Sequence, residues 1–311
     1  MAELADAHDS KSCGGNTMGV RFPLSAPMIE LHNGHRFSFM TASGALGYDG
    51  KGWPWEKPLY WTKILDPTKF TNVTRTLTLK PEKGNLKPYN PFGVIRLLKD
   101  GAVNAVGLNN PGINYFCDQI APHINKNIPI IPSIFGEPQE LAIMTEKLNR
   151  FDFKGLEINA SCPNTKTDIL NNSQKIIDSC LIVREKTNLP IILKLSAAHN
   201  IKTIIPPIEN IIDAISINSV PWNIIYPNKE SPLKHLGGGG VSGKLAQEIN
   251  WNFMQEIIDI SPTPVIAPSI WDTKDIEITK NMGAKAFSFG TRFLLAPWAP
   301  NQIISSLHQR N

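Results

Sequence analysis

GLEINASCPNTK, residues 155–166, is the stretch on which the fold turns. Its first seven residues form a barely interrupted apolar run of strand length, the pattern of a parallel strand covered on both faces. The run gives out at Pro163, which has no N–H to offer a ladder. Immediately before it stands Cys162, with Asn159 three residues upstream and Asn164 two residues downstream. A buried strand that opens into a thiol between two carboxamides raises the question of what the three groups hold.

Runs of the same kind recur along the chain. FSFMTAS (37–43), NVTRTLTL (72–79), PIIPSIF (129–135), PIILKLS (190–196), AISINSV (214–220), PVIAPSI (264–270) and AFSFGT (286–291) all read as strands. Helix-period stretches lie between many of them: 138–150, 173–188 with Ser173 suited to capping, 250–260, and 273–283 closing on a glycine. Strand and helix alternate to about eight units, which predicts an α/β fold, a single-domain (β/α)8 TIM barrel. A doubly wound sheet is the other candidate, but no G-x-G-x-x-G follows the first strand. The expected organisation is an N-terminal tail over 1–20 and a barrel over 21–311. Two regions interrupt the alternation. A tryptophan-rich insertion at about 47–69 carries Trp53, Trp55 and Trp61, and a long loop at 221–240 ends in four glycines. The insertion reads equally as a hydrophobic flap or oligomer contact, or as a reshaped entrance to a site.

The 311 residues are 41% hydrophobic and 19% charged, an ordinary balance for a globular chain. The net charge of +4 comes without a basic stripe, so nucleic acid is not an expected partner. No run reaches the roughly 20 apolar residues of a membrane helix. The N-terminus lacks a signal peptide's apolar core, and four cysteines without C-x-x-C spacing suggest reduced thiols in a cytoplasm rather than zinc or disulfides.

In a barrel the chemistry sits at the C-terminal strand ends. Here those ends are small, amide-bearing or cationic: Ser43, Gly44, Arg75, Asn159, Cys162, Asn164, Lys194, Asn218, Ser219, Ser269, Gly290 and Thr291. Each asparagine alone is an ordinary turn former. Together with Asn104 they suit a flat heterocycle with alternating C=O and N–H groups, because a carboxamide offers donors and an acceptor in one plane. Arg75 or Lys194 can hold an anionic substituent, and Cys162 can move a proton near neutral pH.

LEINASCPN, VNAVGLNNPG (103–112), TRTLTLKPEKGN (74–85), MTASG (40–44), ILKLS (192–196), INSV (217–220), GGVSG (239–243) and FGT (289–291) resemble, in order, the motifs of dihydroorotate dehydrogenases of the soluble, cysteine-using class. Dihydropyrimidine dehydrogenase contains a similar barrel domain. The resemblance runs from about residue 20 to about residue 295. It implies an FMN enzyme that oxidises dihydroorotate to orotate in pyrimidine biosynthesis, with Cys162 as the base and hydride passing to flavin N5. It places Asn104, Gly107, Leu108, Asn159, Asn164, Asn218 and Ser219 around substrate. It places Ala42, Ser43, Gly44, Thr76, Lys194, Gly239, Gly240, Ser242, Gly243, Gly290 and Thr291 around FMN. It implies a homodimer and an iron–sulfur flavoprotein partner, with fumarate, NAD or a quinone as the terminal acceptor.

Two departures stand out. The family's active-site lysine is Arg75 here, which keeps the charge in a longer, planar form. The family's Gly-Gly pair at the FMN phosphate is replaced within Ala267-Pro268-Ser269-Ile270, where proline has no N–H to give and Ser269 offers a hydroxyl instead. These departures leave two other readings open: a non-catalytic relative that binds a ligand or partner, and a flavin enzyme acting on another pyrimidine, including uridine in RNA.

Overall fold

The computed structural model describes residues 26–87, 90, 93–161 and 172–309. Eight short strands line the centre: β1 (Phe39–Thr41), β2 (Asn72–Val73), β3 (Ile130–Ile131 and Ser133–Ile134), β4 (Leu156–Asn159), β5 (Ile191–Leu195), β6 (Ala214–Ile217), β7 (Ile266–Ala267) and β8 (Ala286–Phe289). All eight predicted strands are present but shorter than predicted; β2 keeps only Asn72–Val73 of 72–79. Pro132 splits β3, as expected of a residue that cannot donate to a ladder.

The pairings close into a ring, every one of them parallel. β1 meets β2 through Met40 and Thr71. Asn72 then pairs with Ile130, Ser133 with Glu157, and Ile191 with Leu156. Ile192 pairs with Ala214, Ile215 with Val265, Ile266 with Ala286, and Phe287 returns to Phe39. The chain is a (β/α)8 barrel.

Side chains alternate across each strand, so residues two apart share a face. The lower lumen is filled by Met40, Val73, Ile131, Ile192, Ala214, Ile266 and Ala286, drawn from every strand but β4. An antiparallel hairpin, Ile29–Glu30 with Arg36–Phe37, caps this floor by adding Ile29, Leu31 and Phe37 to the same cluster. Two residues further up, the lumen turns polar: Ile131 gives way to Ser133, Ile192 to Lys194, Ala214 to Ser216 and Ala286 to Ser288. The opposite strand faces, among them Ile158, Leu193, Leu195 and Phe287, pack against the helices in a second, larger core.

The helices run Pro138–Leu148, Ser173–Lys186, Gln247–Ile260 and Thr273–Asn281, with Ala299–Gln309 closing the chain. The cap of the second is Asn172 rather than Ser173, its side chain accepting from the Lys175 N–H at 3.1 Å. The third starts three residues before the predicted 250. The crossover from β5 to β6 shrinks to one turn at Ile201–Ile204.

The 221–240 region is not wholly a loop. Val220–Pro221, Gly240–Gly243, Gly101–Asn104 and Ile95–Leu98 form an antiparallel sheet over their own small core of Val103, Ala105, Leu233 and Val241. Its glycines and short strands carry no clean period, so the sequence hides it. This sheet follows directly from β6 and stands at the C-terminal rim of the barrel, bringing Asn104, Gly240 and Ser219 together.

Ile192 is fully buried at the centre of the floor. Ile192→Ala is expected to lower unfolding free energy by about 2–5 kcal/mol, read as a shift in urea midpoint at unchanged slope.

Candidate functional site

The polar layer above the floor is one connected network. Glu157 is 1% exposed and Lys194 7%. The Lys194 Nζ lies 3.6 Å from Glu157 Oε1. The same carboxylate accepts from Ser133 Oγ at 2.9 Å and from Ser216 Oγ at 3.1 Å. Ser133 Oγ lies 3.0 Å from Thr76 Oγ1, which lies 3.1 Å from Ser43 Oγ and accepts from Asn159 Nδ2 at 2.9 Å. Asn159 Oδ1 accepts from the Ser161 N–H and hydroxyl at 3.2 and 2.7 Å, and Asn218 Nδ2 donates to the Ser161 carbonyl at 3.2 Å. Strands β3 to β6 and the exits of β1 and β2 therefore present hydroxyls, carboxamides and one ammonium to the same end of the lumen.

A second group gathers beside it. Asn104 Nδ2 reaches the Gly240 carbonyl at 3.5 Å, and Gly239 (φ 80°) backs so closely onto Asn104 that a Cβ there would lie 2.6 Å from its carbonyl oxygen. Ser219 packs against Gly240. Thr291 Oγ1 donates to Ser242 Oγ at 2.7 Å, and Gly290 lies against Ala42. Gly107 takes a left-handed φ of 69°, and Leu108 packs on the main core. Cys162 and Asn164 lie outside the described residues.

Arg75 has its charge committed within the protein. Its Nη2 donates to the Asn109 carbonyl at 2.6 Å and to Asn109 Oδ1 at 3.2 Å. Its guanidinium carbon stands 4.9 Å from the Trp53 ring centre and 5.6 Å from that of Tyr48. Trp53 in turn stacks on Trp55 at 5.2 Å. Burial holds the Arg75 pKa below its ordinary value and pushes the Tyr48 hydroxyl up to about 12. The tryptophan-rich insertion is thus tied through Arg75 to the 105–112 segment.

Ser269 holds φ at 61°, a conformation that favours glycine. Its hydroxyl accepts from Asn250 Nδ2 at 3.3 Å. The backbone geometry suited to a glycine is retained here by a residue that pays steric strain for it.

Sequence reasoning overlooked Glu157, Ser133, Ser216 and Asn109. The signal for Ser133 and Ser216 was available: counting by two from the apolar floor residues Ile131 and Ala214 lands on them. It also overlooked His199, buried beyond the end of β5. His199 Nδ1 lies 2.9 Å from the Ser196 amide nitrogen and 3.1 Å from the Ser196 carbonyl oxygen, and Nε2 is buried without a partner.

The family model described as dihydroorotate dehydrogenase matches residues 58–310. The chain belongs to the dihydroorotate dehydrogenase family. It is 31% identical over 281 residues to the dihydroorotate dehydrogenase B (NAD(+)) catalytic subunit of Desulforudis audaxviator, covering 87% of each chain. The proteins of the same name from Geotalea uraniireducens and Geobacter metallireducens are 29% and 30% identical over 286 and 283 residues, covering 86–88% of the chains. Like other members of this dihydroorotate dehydrogenase family, the chain is an oxidoreductase. Among the described residues no helix is long and apolar enough to cross a membrane, and no three metal-ligating side chains cluster.

Burial lowers the His199 pKa from 6.5 to about 4. The unfolded chain takes up this proton first, so the contribution is full above pH 6.5 and lost as the pH falls from there towards 4. Urea titrations across this window are expected to show stability dropping with pH, by about 3 kcal/mol at most from this group, and His199→Gln should flatten that part of the profile.

Proposed function

We propose that this chain oxidises dihydroorotate to orotate with FMN as its bound cofactor. The observation that carries the reading is the Lys194–Glu157 pair, held dry above an apolar floor and below a rim of carboxamides. A fixed ammonium, a ring of hydroxyls and planar amides are the donor set that a flat, electron-rich ring system needs, so the residues present fit a flavin. Lys194 is the cation for its pyrimidine edge, with Ser43, Thr76 and the Ala42–Gly44 backbone alongside. Gly239, Gly240, Ser242, Gly243, Ser269, Gly290 and Thr291 hold the remainder of the cofactor. FMN, when bound, supplies the two-electron acceptor that takes hydride from the substrate.

Asn104, Asn159, Asn164 and Asn218, with Gly107, Leu108 and Ser219, grip the substrate ring through its alternating C=O and N–H groups and fix its orientation. Cys162 removes the proton from the ring carbon next to the amide carbonyl. Its assignment rests on the LEINASCPN motif alone. Arg75 acts on the reaction by fixing Asn109 and the 105–112 segment, with its charge shared by Trp53.

The names of the relatives, catalytic subunits of NAD(+)-linked enzymes, also suggest the onward route of the electrons: to NAD through a separate subunit, which the family resemblance makes an iron–sulfur flavoprotein. The isolated chain is then expected to leave NAD unreduced until that subunit is added.

Anaerobic addition of dihydroorotate to the purified, FMN-loaded protein is expected to bleach the flavin's visible absorption. Cys162→Ala should keep flavin binding and slow bleaching by about 10²–10⁴-fold, with Cys162→Ser the milder variant. Bleaching at an unaltered rate in Cys162→Ala would remove the thiol from the mechanism. A loaded protein that bleaches only with another pyrimidine reassigns the substrate, and one that stays colourless in excess FMN supports a non-catalytic relative.

A further inference from the structure

The Arg292 guanidinium is the polar group in this structure with the clearest unmet need. Its Nε is fully buried and has no hydrogen-bond partner. Arg36, Arg75, Arg150 and Arg184 each donate to an acceptor within the chain. Arg292 makes no such bond among the described residues; its recorded contact is with the Trp271 ring, 5.2 Å from the guanidinium carbon. A guanidinium half-withdrawn from water without an acceptor is unfavourable, and an anion is the group that satisfies it.

Where this cation stands is fixed by its neighbours. Trp271 lies against Gly243, with a ring carbon 3.0 Å from where a Cβ on that glycine would be. The adjacent Ser242 is hydrogen-bonded to Thr291, the residue before Arg292. Two hydroxyls and a planar five-donor cation therefore share one corner of the barrel mouth, packed about Gly243 and Trp271. The exit of β7, by contrast, has one backbone donor fewer to offer. Pro268 has no N–H, its carbonyl accepts from Trp251 Nε1 at 3.1 Å, and the Ser269 carbonyl accepts from Gln247 Nε2 at 2.9 Å. The segment is turned towards helix Gln247–Ile260. The two hydroxyls donate within the protein, Thr291 to Ser242 and Ser242 to the Ala102 carbonyl, which leaves the guanidinium as the donor that matches the oxygens of a phosphate monoester.

We propose that Arg292 is the phosphate anchor of the bound flavin mononucleotide, supplying from β8 a donor where Pro268 on β7 has no N–H. The inference rests on the flavin reading above and adds to it the residue that distinguishes FMN from riboflavin. Lys244 is a second cation near the Trp271 ring, at 6.0 Å, but it lies on the surface 3.9 Å from Asp272, which answers its charge.

The test compares dissociation constants for FMN and for riboflavin, which lacks the phosphate, by quenching of flavin fluorescence. It uses the full chain and its Arg292→Ala, Arg292→Lys and Lys244→Ala variants. Arg292→Ala is expected to weaken FMN by about 10- to 100-fold, the effect of one charge-assisted contact, and to leave riboflavin binding within about 2-fold of the wild type. Arg292→Lys should recover part of the loss, and Lys244→Ala should keep the wild-type ratio. An unchanged ratio in Arg292→Ala, or equal losses for both flavins, overturns the proposal, as does a ratio that collapses in Lys244→Ala instead. Wild-type protein that binds neither flavin overturns the flavin reading itself.

Discussion

A carboxylate and an ammonium share the interior of this barrel, and the architecture around them follows from keeping both satisfied. Removing one partner of such a pair costs about 3–5 kcal/mol, because the other is left charged and dry. Glu157 is held from three strands at once, by Ser133, Lys194 and Ser216. The three contacts fix the relative register of β3 to β6. Below them the floor must be apolar and sealed; above them the strand ends can afford amides and hydroxyls. The polar layer is thus both a structural clamp and the base on which the mouth is arranged.

Much of this was legible from sequence, for reasons that differ by region. The barrel strands are buried on both faces, so they stand out as apolar runs, and the helices between them keep a readable period. The Lys194 ammonium and the Asn159 and Asn218 side chains were found because they occupy strand ends, and Thr76 through the family resemblance. Glu157 was passed over because a single carboxylate in the middle of an apolar run does not look like part of a site. Its partners come from residues 24 and 59 positions away. The antiparallel sheet at the rim was hidden by its glycines, which carry shape rather than pattern.

Arg75 illustrates a different limit. The sequence marks it only as a cation at a strand end. Only the three-dimensional arrangement reveals that Trp53, Tyr48 and Asn109 surround it. The arginine and the tryptophan-rich insertion are two halves of one adaptation: a flat cation needs a flat ring to lie on, and the insertion provides it. Trp55 and Trp61 remain 61% and 71% exposed on the same insertion, so its inner face is engaged while part of its apolar surface still meets solvent.

The hairpin beneath the floor carries one more consequence. With Ile29, Leu31 and Phe37 wedged under the strands, the lumen is stoppered at that end. Anything that lodges over Lys194 must arrive and depart through the same doorway.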